Sequence, residues 1–432
     1  MSVTEQYPRF TVIIPQKDRA EYLVHTLKTC MIQDYPNFEI VVGDDCSEDN
    51  SVEVVKELQK KDPRIKLIAH EHHVGMRDNF ESALAAVKPG YVMALGGDDG
   101  LVPGCIWRIY EILKETGRQL MCWRPAFYAY PDEVNSHGRF MIKRGRHIDV
   151  RYIKSSDFLN KIAHSFHYQT EECPMFYMTG VASTELVDRV KARSEDNCFY
   201  HCPTPDGFSG VVLAGEVDDY VFTTEPLSIT GTTTKSQGKN YMRTDEKSKK
   251  EAQQFFNDSI RITMHKELAS QPYSPLQTLM TADYLLTAKD LPGWPGKFDS
   301  IDFSALIRAT FKMLETSPFE NEILVREMKI LREIAIQHNL EDLFFQLLHT
   351  TKRKIVRRSV FSGFVITPQT YMFDGVTMGI NNIYDACLAV PFAYHLHKLI
   401  SIREFFAIVK RSIKTIFNAR RYTIEKLPQI EN

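Results

Sequence analysis

Several features that define other classes of protein are missing from this sequence. Its eight cysteines form no CxxC pair and no dense framework, which argues against a disulfide-rich secreted protein. The formal net charge is -2, so the chain lacks the overall positive charge that would indicate a nucleic-acid partner. No uninterrupted apolar run approaches the ~20 residues that a membrane-spanning helix needs. We therefore expect free thiols in the cytoplasm and a protein that is soluble or attached to a membrane surface.

The ligand spacings of common metal and cofactor motifs are also missing. Cys198, His201 and Cys202 lie close together, but no second ligand pair follows at zinc-finger spacing. The HEHH run at 70–73 falls on a predicted strand end and loop, and we do not expect it to bind metal. The GxGxxG fingerprint of dinucleotide-binding folds is absent. The first residues, MSVTEQYPRFTVIIP, have no basic region before a long apolar stretch, so we expect no signal peptide.

What the sequence does contain is an alternation of strand and helix patterns over residues 10–100. With 432 residues, of which 43% are hydrophobic, the chain can bury a core in two or three domains. The alternation predicts an α/β fold with a mainly parallel sheet, helices on both faces, and ligands at the carboxyl ends of the strands. The predicted strands are FTVIIP (10–15), FEIVVGDD (38–45), IKLIAHE (65–71) and YVMALGG (91–97), and the predicted helices lie at 20–33, after an N-cap at Ser47, at 79–87 and at 104–117.

Two acidic segments follow predicted strands at this edge of the sheet. GDDCSEDNS, at 43–51, offers carboxylates that can accept hydrogen bonds from a nucleobase or a ribose, although Asp and Ser also favour helix starts. GGDDG, at 96–100, offers the oxygen ligands that Mg²⁺ prefers, beside glycines that let a ligand approach the backbone. The alternative for this second segment is a turn that links strand to helix. The residues alone leave both alternatives open.

Four blocks, in order and with matching spacing, resemble the nucleotide-sugar-binding half of family 2 glycosyltransferases, which have the GT-A fold. FTVIIPQKDR is similar to the family's VSVIIPTYNR, and QDYPNFEIVVGDDCSEDNS is similar to QTYPNFEIIVVDDGSTDNT. DPRIKLIAHEHHVGMRDNFESAL is similar to DPRIKVIRNEKNLGVARARNTGL, and GYVMALGGDDGLVPG stands where the family has GEYIAFLDDDDxxxP. The resemblance covers residues 10 to about 240. It implies an inverting transferase with a nucleotide-sugar donor, UDP being the expected nucleotide.

The resemblance also implies roles for individual residues. It places a group of residues around the donor, with Asp45 holding the base and Asp98 contacting a divalent cation, Mn²⁺ or Mg²⁺, beside Asp99. Such an ion acts as a Lewis acid that neutralises the departing diphosphate. The residues implied for donor binding are Pro15, Lys17, Asp18, Arg19, Asp45, Arg77, Asn79 and Asp98.

Two positions depart from the family's pattern. Gly96 stands where the family has the first acid of its DXD element, and Cys46 replaces a usual glycine. The metal would then rest on a single carboxylate, Asp98, together with diphosphate oxygens. A transferase with weak metal dependence, or with none, is the alternative.

The segment CPTPDGFSG, at 202–210, contains the candidate general base. In inverting members of the family an acid near this point removes the proton of the acceptor hydroxyl as that oxygen attacks the anomeric carbon, and the resemblance implies this role for Asp206. TPDG is also a turn-like string in which Asp206 would only cap a helix. Glu195 and Asp196 are the next candidates.

Two further segments allow a functional and a structural interpretation. In EPLSITGTTTKSQG, at 225–238, Lys235 and Ser236 either contact phosphate or belong to a plain linker. Trp123 and the aromatic residues of 126–130 belong either to the core or to the wall of an acceptor pocket.

The chain changes in composition near residue 245. We predict a catalytic domain at 1–245, a helical domain at 246–354, and a C-terminal helical segment at 355–432 for oligomerisation or membrane attachment. Within this segment REFFAIVKRSIKTIFNARRY intersperses apolar residues with cations, which is typical of an amphipathic helix on an anionic membrane. A helix packed on the helical domain is the alternative.

Together these features predict an inverting glycosyltransferase of bacterial surface polysaccharide synthesis, such as that of O-antigen. Its acceptor would be a glycan or a polyprenyl-diphosphate-linked sugar, and it would act in the cytoplasm or at the inner face of the cell membrane. One rival is a decayed transferase core that only binds sugar nucleotides or glycans, which Gly96 and Gly97 suggest. Another is a nucleotidyltransferase, which typically has a glycine-rich basic loop after the first strand, whereas PQKDRAEY contains no glycine.

Overall fold

An eight-stranded sheet forms the centre of the computed structural model, which describes residues 7–132, 136–144, 148–236, 250, 263–356, 363–367, 369–396 and 422–428. The strands of the chain are β1 (Phe10–Gln16), β2 (Phe38–Asp44), β3 (Ile65–Ala69), β4 (Tyr91–Ala94), β5 (Gly100–Leu101), β6 (Leu120–Trp123), β7 (Ala126–Ala129), β8 (Arg139–Lys143), β9 (Val150–Lys154), β10 (Gly180–Ser183), β11 (Asp219–Thr223), β12 (Ser228–Thr232), β13 (Lys352–Val356), β14 (Phe364–Ile366), β15 (Thr370–Phe373) and β16 (Tyr422–Lys426). The central sheet has the order β3-β2-β1-β4-β10-β6-β11-β9. A six-stranded sheet has the order β14-β15-β8-β7-β12-β5, and β13 pairs with β16.

The first four strands of the central sheet are parallel. Every residue of β1 and β2 is buried, as expected for strands that are covered on both faces. β1 pairs with β2 on one side and with β4 on the other, and β2 pairs with β3. Gln16 lies next to Asp44 in this register, so the carboxyl ends of the strands meet at one edge. The predicted mainly parallel α/β sheet is confirmed; β10 is antiparallel to both of its neighbours.

Helices cover both faces of this sheet, because successive side chains of each strand point to opposite faces and those on either face are apolar. Ile13 of β1 packs in one hydrophobic cluster, and Val12 and Ile14 pack in a second cluster on the other face. The helices of the chain are α1 (Ala20–Met31), α2 (Ser51–Gln59), α3 (Met76–Ala85), α4 (Cys105–Thr116), α5 (Ser155–Ser165), α6 (Thr184–Lys191), α7 (Pro205–Gly215), α8 (Gln277–Asp290), α9 (Phe303–Leu314), α10 (Asn321–Gln337), α11 (Glu341–Thr350) and α12 (Ile383–Tyr394). Helices α1, α2 and α4 share the cluster of Val12, whereas α3, α5, α6 and α7 share that of Ile13.

The helices α8 to α11 form the mostly helical region that we predicted after the catalytic core. They share a hydrophobic cluster of their own, which also includes Phe166 and Leu427. Helix α8 contributes Tyr284 and Leu285 to the cluster of the central sheet, so this region packs directly on the core. The domain boundaries at 245 and 354 stay a prediction.

The described part of 355–432 contains strands as well as helix α12. β15 pairs with β8, with Tyr371 opposite Ile142, and thereby joins this segment to the six-stranded sheet. Helix α12 lies so close to the core that a Cβ atom at Gly100 would be 2.6 Å from Sγ of Cys387. The predicted amphipathic helix over 403–422 lies outside the described residues except for its last residue, Tyr422, which begins β16. Within the ranges that are described, no helix is long and apolar enough to cross a membrane.

Candidate active site

Arg19 and Asp98 form an ion pair where β1 and β4 end. Nη1 of Arg19 lies 2.8 Å from Oδ1 of Asp98, and the two side chains are 16% and 4% exposed. The other carboxylate oxygen of Asp98 accepts hydrogen bonds from the hydroxyls of Ser236, at 3.0 Å, and Thr233, at 3.2 Å. Burial acts to lower the pKa of Arg19, but Asp98 and other neighbouring groups raise it on balance. This pair is the centre of the candidate donor site.

Asp99 closes the turn after β4. Its carboxylate accepts one hydrogen bond from the backbone N–H of Gly96, at 2.8 Å, and another from that of Gly231 in β12, at 2.7 Å. Its carbonyl oxygen accepts a hydrogen bond from the hydroxyl of Thr26, at 2.7 Å. Burial and the charge of Asp98 raise the pKa of Asp99 to about 7. Asp99 therefore ties the GGDDG turn to β12, and both of its carboxylate oxygens already have protein partners.

The residue at position 96 must be small because Tyr177 fills the space beside it. A Cβ atom on Gly96 would lie 2.3 Å from the hydroxyl oxygen of Tyr177 and 2.8 Å from Oδ2 of Asp99. Real Cβ atoms do not approach other atoms so closely, so an acid cannot enter position 96 unless Tyr177 moves. The departure from the family's pattern is thus a consequence of packing.

The side chains at this edge do not offer the donor set of a divalent cation. Mg²⁺ requires oxygen ligands in near-ideal octahedral geometry. Position 96 lacks an acid, Asp99 is engaged by backbone N–H groups, and Asp98 is engaged by Arg19 and two hydroxyls. No group of three or more His, Cys, Asp or Glu residues that could hold a metal ion occurs in the part of the chain that the structure describes. The predicted metal role of Asp98 and Asp99 therefore does not fit this arrangement.

The end of β2 holds a second pair of buried acids. Asp45 accepts a hydrogen bond from the backbone N–H of Val74, at 2.7 Å, and its other oxygen lies 2.8 Å from Nδ1 of His73. Nζ of Lys17 lies 3.1 Å from the same nitrogen of His73. Sequence reasoning gave His73 no role, since only the fold shows that the HEHH loop reaches Asp45. Asp45 stands at the strand edge where a base would bind, and its role as base ligand stays a prediction.

The neighbouring Asp44 and Ser47 shape the loop after β2. Asp44 accepts hydrogen bonds from the backbone N–H and the hydroxyl of Ser47, at 2.9 and 2.7 Å, and from the amide of Gln16. Ser47 was predicted to cap the following helix, and this is wrong, because α2 begins at Ser51 with Asn50 at its N-cap. The hydroxyl of Ser47 instead joins the ends of β1 and β2.

Asp18 and Pro15 contact the backbone of neighbouring segments. Asp18 has a positive φ of 53°, and its carboxylate accepts hydrogen bonds from the N–H groups of Glu48, at 2.6 Å, and Asp49, at 3.3 Å. Pro15 is buried in β1 and lies opposite Gly43. Their contacts fix the shape of the pocket rim, and the predicted contact of these residues with a nucleotide stays a prediction.

The two residues predicted near the donor sugar have different surroundings. The amide nitrogen of Asn79 donates to the carbonyl oxygens of Gly43, at 3.0 Å, and Gln16, at 3.3 Å, so it links β2 to β1 from beneath the site. Arg77 donates from Nε to the carbonyl oxygen of Tyr200, at 2.8 Å, and from Nη1 to Asp78, at 2.6 Å. Both therefore make structural contacts, which sequence similarity alone did not indicate.

Asp206 lies in the first turn of α7, after Pro205. Gly207 lets two tyrosines approach this turn, since a Cβ atom there would lie 2.3 Å from the ring of Tyr284 and 2.6 Å from that of Tyr168. Burial raises the pKa of Asp206 although the backbone N–H of Gly207 acts to lower it. A carboxylate with a raised pKa at partial exposure is a stronger base than an ordinary aspartate.

Tyr177 lies beside the acids of the GGDDG turn. Burial raises the pKa of the Tyr177 hydroxyl, and the charges of Asp99, Asp98 and Asp206 raise it further. The hydroxyl of Tyr177 lies beside the GGDDG turn, and the charge of Asp206 also acts on it. The alternative base Asp196 is 61% exposed and lies 3.9 Å from Nη2 of Arg77.

The loop at 233–236 covers the ion pair. In addition to the bonds from Thr233 and Ser236 to Asp98, Nη2 of Arg19 donates to the carbonyl oxygen of Lys235 at 3.0 Å. Nζ of Lys235 donates to the carbonyl oxygen of Asp18. The sequence indicated Lys235 and Ser236 as candidate phosphate contacts but did not indicate Thr233. Its place in the same polar loop is the feature that could have indicated Thr233.

The zinc alternative receives no support from the geometry. Nε2 of His201 lies 3.1 Å from the carbonyl oxygen of Cys198, and the thiol of Cys202 donates to Asp283. These side chains therefore do not converge on a common point.

Comparison with known proteins gives a family match for the first part of the chain. Residues 11–179 match the family model described as Glycosyl transferase family 2. A GalNAc(5)-diNAcBac-PP-undecaprenol beta-1,3-glucosyltransferase of Campylobacter jejuni is 34% identical over 109 residues, which are 25% of this chain and 35% of that protein. The putative teichuronic acid biosynthesis glycosyltransferase TuaG of Bacillus subtilis is 29% identical over 97 residues, which are 22% of this chain and 38% of that protein.

A solved structure is matched over most of the chain. The crystal structure of S. aureus TarS 1-349 in complex with UDP-GlcNAc has 13% sequence identity and a TM-score of 0.43, and the match covers 83% of this chain and 95% of that one. The chain spans about half of the length, or less, of the curated relatives that it matches. The predicted α/β core of the GT-A type is confirmed by the family match together with the sheet order.

Proposed function

We propose that this chain, whose residues 11–179 form a domain of glycosyltransferase family 2, transfers a sugar from a nucleotide-sugar donor with inversion at the anomeric carbon. The observation that carries the proposal is that the hydroxyl of Tyr177 lies beside the GGDDG turn and is subject to the charges of Asp98, Asp99 and Asp206. A candidate base whose charge acts on the same phenol as the candidate diphosphate site suits a direct displacement, in which both groups act on one sugar carbon.

In this reaction Asp206 acts as the general base. Its carboxylate accepts the proton of the acceptor hydroxyl while that oxygen forms a bond to the anomeric carbon. The bond from this carbon to the diphosphate breaks at the same time, and its electron pair leaves with the diphosphate. The raised pKa of Asp206 supports the assignment, because a carboxylate that is harder to ionise holds the abstracted proton better.

We further propose UDP as the nucleotide of the donor. Asp45 at the end of β2 is buried and offers carboxylate oxygens, the acceptors that a uracil imide requires. His73 and Lys17 stand beside it and would border the ribose and base. The loop residue Lys235 is close enough to Asp18 and Arg19 to contact a diphosphate bound over the ion pair.

For the acceptor we propose a glycan or a polyprenyl-diphosphate-linked sugar of a bacterial surface polysaccharide. The names of the curated relatives support this class, since the relative of C. jejuni is named for an undecaprenol-linked acceptor and TuaG for teichuronic acid biosynthesis. A lipid-linked acceptor would bring the protein to the inner face of the membrane. The cations and apolar residues over 403–422 are suited to that location, and a homo-oligomer would also be compatible with them.

The donor can be identified by ligand-induced stabilisation. A ligand that binds only the native state stabilises it by about 2.7 kcal/mol at a hundred times its Kd. Thermal unfolding should therefore be followed with UDP-glucose, UDP-GlcNAc, UDP-galactose, GDP-mannose and dTDP-rhamnose, each with EDTA, Mn²⁺ or Mg²⁺. We expect a UDP-sugar to raise the midpoint most, and a flat response to the whole panel would contradict the proposal.

Turnover separates the enzyme from a protein that only binds sugar nucleotides. The donor that stabilises the protein should be incubated with it, and the released nucleoside diphosphate should be measured by chromatography. We expect slow hydrolysis without an acceptor and faster release with membrane extract that contains lipid-linked sugars. Strong stabilisation without any release would instead favour the binding module.

A further inference from the structure

Two glycines of the GGDDG turn leave space for side chains from elsewhere in the chain. A Cβ atom on Gly97 would lie 3.2 Å from Cδ of Arg19, and a Cβ atom on Gly96 would lie 2.3 Å from the hydroxyl of Tyr177. The stem of an arginine and a phenol therefore fill the space around Asp98. At the position of Gly96, the pattern that this sequence resembles has an acid.

The carboxylate oxygens of Asp98 already accept hydrogen bonds from protein groups. A carboxylate has about four acceptor sites, and three of those of Asp98 are taken by Arg19, Ser236 and Thr233. A cation that entered between Asp98 and a diphosphate would have to displace a buried guanidinium. Breaking such a buried pair leaves an uncompensated charge, which is strongly unfavourable.

Arg19 has donors to spare for a ligand. A guanidinium has five N–H donors, of which Nη1 uses one toward Asp98 and Nη2 uses one toward the carbonyl oxygen of Lys235. Among the residues that the structure describes, no partner is shown for the other three, and the planar fork of arginine is suited to phosphate oxygens. Because Arg19 is also the N-cap residue of α1, its backbone is held in place by the helix.

We propose that the guanidinium of Arg19, anchored by Asp98, supplies the positive charge for the donor's diphosphate, so that a nucleoside diphosphate binds without a divalent cation. This inference rests on the proposed function, because it concerns the donor of the same site. Lys235 adds a second positive charge, since its ammonium group donates to the carbonyl oxygen of Asp18 and lies 3.8 Å from Asp49. Asp98 is then a positioning residue for Arg19.

The role is compatible with the balance of the displacement. The diphosphate gains the electron pair of the broken bond to the anomeric carbon, and its oxygens become more negative. Arg19 stabilises that charge by hydrogen bonds and transfers no proton, because its pKa keeps it charged throughout. The acceptor's proton goes to Asp206, so no further acid or metal-bound group is required.

The test measures binding of a nucleoside diphosphate by isothermal titration calorimetry. The probe is whichever of UDP, GDP and dTDP binds the full chain most tightly, titrated in excess EDTA and again in excess MnCl₂. We expect the two affinities of the wild-type protein to agree within about threefold. Arg19→Ala should weaken binding in EDTA by about 10- to 100-fold, as for the loss of a hydrogen bond between charged groups. Arg19→Lys should retain part of the affinity.

Arg118→Ala is the matched control. It removes another guanidinium–carboxylate pair, with Asp219, at the opposite edge of the same sheet, because Arg118 precedes β6 and Asp219 begins β11. Its affinity for the probe should equal that of the wild type. Thermal unfolding without ligand checks that each variant is folded, and the comparison of EDTA with MnCl₂ on the wild type requires no variant.

Two results would overturn the inference while the proposed function stands. One is binding to the wild type that Mn²⁺ tightens more than tenfold, and the other is a folded Arg19→Ala variant with unchanged affinity in EDTA. If none of the three nucleotides binds in either condition, the proposed function itself fails and the inference fails with it.

Discussion

The hydroxyl oxygen of Tyr177 occupies the space that a side chain on Gly96 would need, because a Cβ atom there would lie 2.3 Å from it. Tyr177, together with Asp99, thus decides which residue can occupy position 96. The same ring lies near Asp206, Asp98 and Asp99, so the packing of the turn and the arrangement of the candidate acids depend on each other.

The coupling of Gly96 and Tyr177 can be measured by a double-mutant cycle. Gly96→Ala alone should destabilise the protein by about 1–3 kcal/mol, as overpacked cores do. In the Tyr177→Phe background, which lacks the clashing oxygen, the loss should be smaller by about 0.5–1.5 kcal/mol. Urea unfolding of the four proteins measures both values. Equal losses in the two backgrounds would show that the phenol oxygen is not the obstacle.

Asp206→Asn should abolish most transfer and leave donor binding intact. An amide cannot accept the proton of the acceptor hydroxyl, and the loss of a general base lowers the rate by about 10²- to 10⁴-fold. The measurements are kcat for sugar transfer and Kd for the nucleoside diphosphate. Asp196→Asn, which changes an exposed carboxylate in the preceding loop, is the control and should retain activity. Near-normal turnover of Asp206→Asn would remove Asp206 from the role.

The pH profile of transfer should reflect the environment of Asp206. The base must be ionised, so kcat/KM should fall as the pH decreases through its pKa. Burial raises that pKa above the usual 3.8 of an aspartate, and the acid limb should therefore lie at a higher pH than for an exposed carboxylate. The limb is measured with a saturating donor across the acidic range. In Asp206→Asn this limb should disappear from the residual activity.

Asn79→Ala should destabilise the edge of the sheet more than it weakens donor binding. The variant removes the buried amide that donates to the carbonyl oxygens of Gly43 and Gln16, at a cost of about 1–3 kcal/mol, and the carbonyl oxygen of Gln16 keeps the N–H of Asp45 as a donor. Asn381→Ala, at an exposed position, is the control and should stay within about 0.5 kcal/mol of the wild type. Unfolding in urea and titration with UDP separate the two effects. A large loss of affinity without a loss of stability would instead support the role at the donor that the resemblance implies.

Sequence patterns predicted the central sheet well, because strand formation there follows from runs of apolar residues that are adjacent in the sequence. Continuous apolar runs such as FTVIIP and FEIVV become strands that are buried on both faces. The acids that follow these strands lie at one edge of the sheet, because the carboxyl ends of parallel strands lie at the same edge. The helix that was to begin after Ser47 begins at Ser51 instead, because the hydroxyl of Ser47 binds Asp44 rather than the helix.

The functions of the individual acids were less predictable. Asp98 and Asp99 are adjacent and look alike in sequence, yet Asp98 binds a guanidinium and two hydroxyls, whereas Asp99 binds the backbone of Gly96 and Gly231. These partners lie up to 138 residues away along the chain. No periodicity in the sequence encodes such distant pairs.

The sequence by itself determined that strands and helices alternate, that acids follow the strands, and that four blocks resemble one transferase family. These features follow from local hydrophobic pattern and from short motifs. Only the tertiary structure decided that Tyr177 excludes an acid from position 96 and that Arg19 reaches Asp98. The physical reason is that steric exclusion and ion pairing depend on which loops lie together at the edge of the sheet. Residues that are far apart in the sequence come together there only when the whole chain folds.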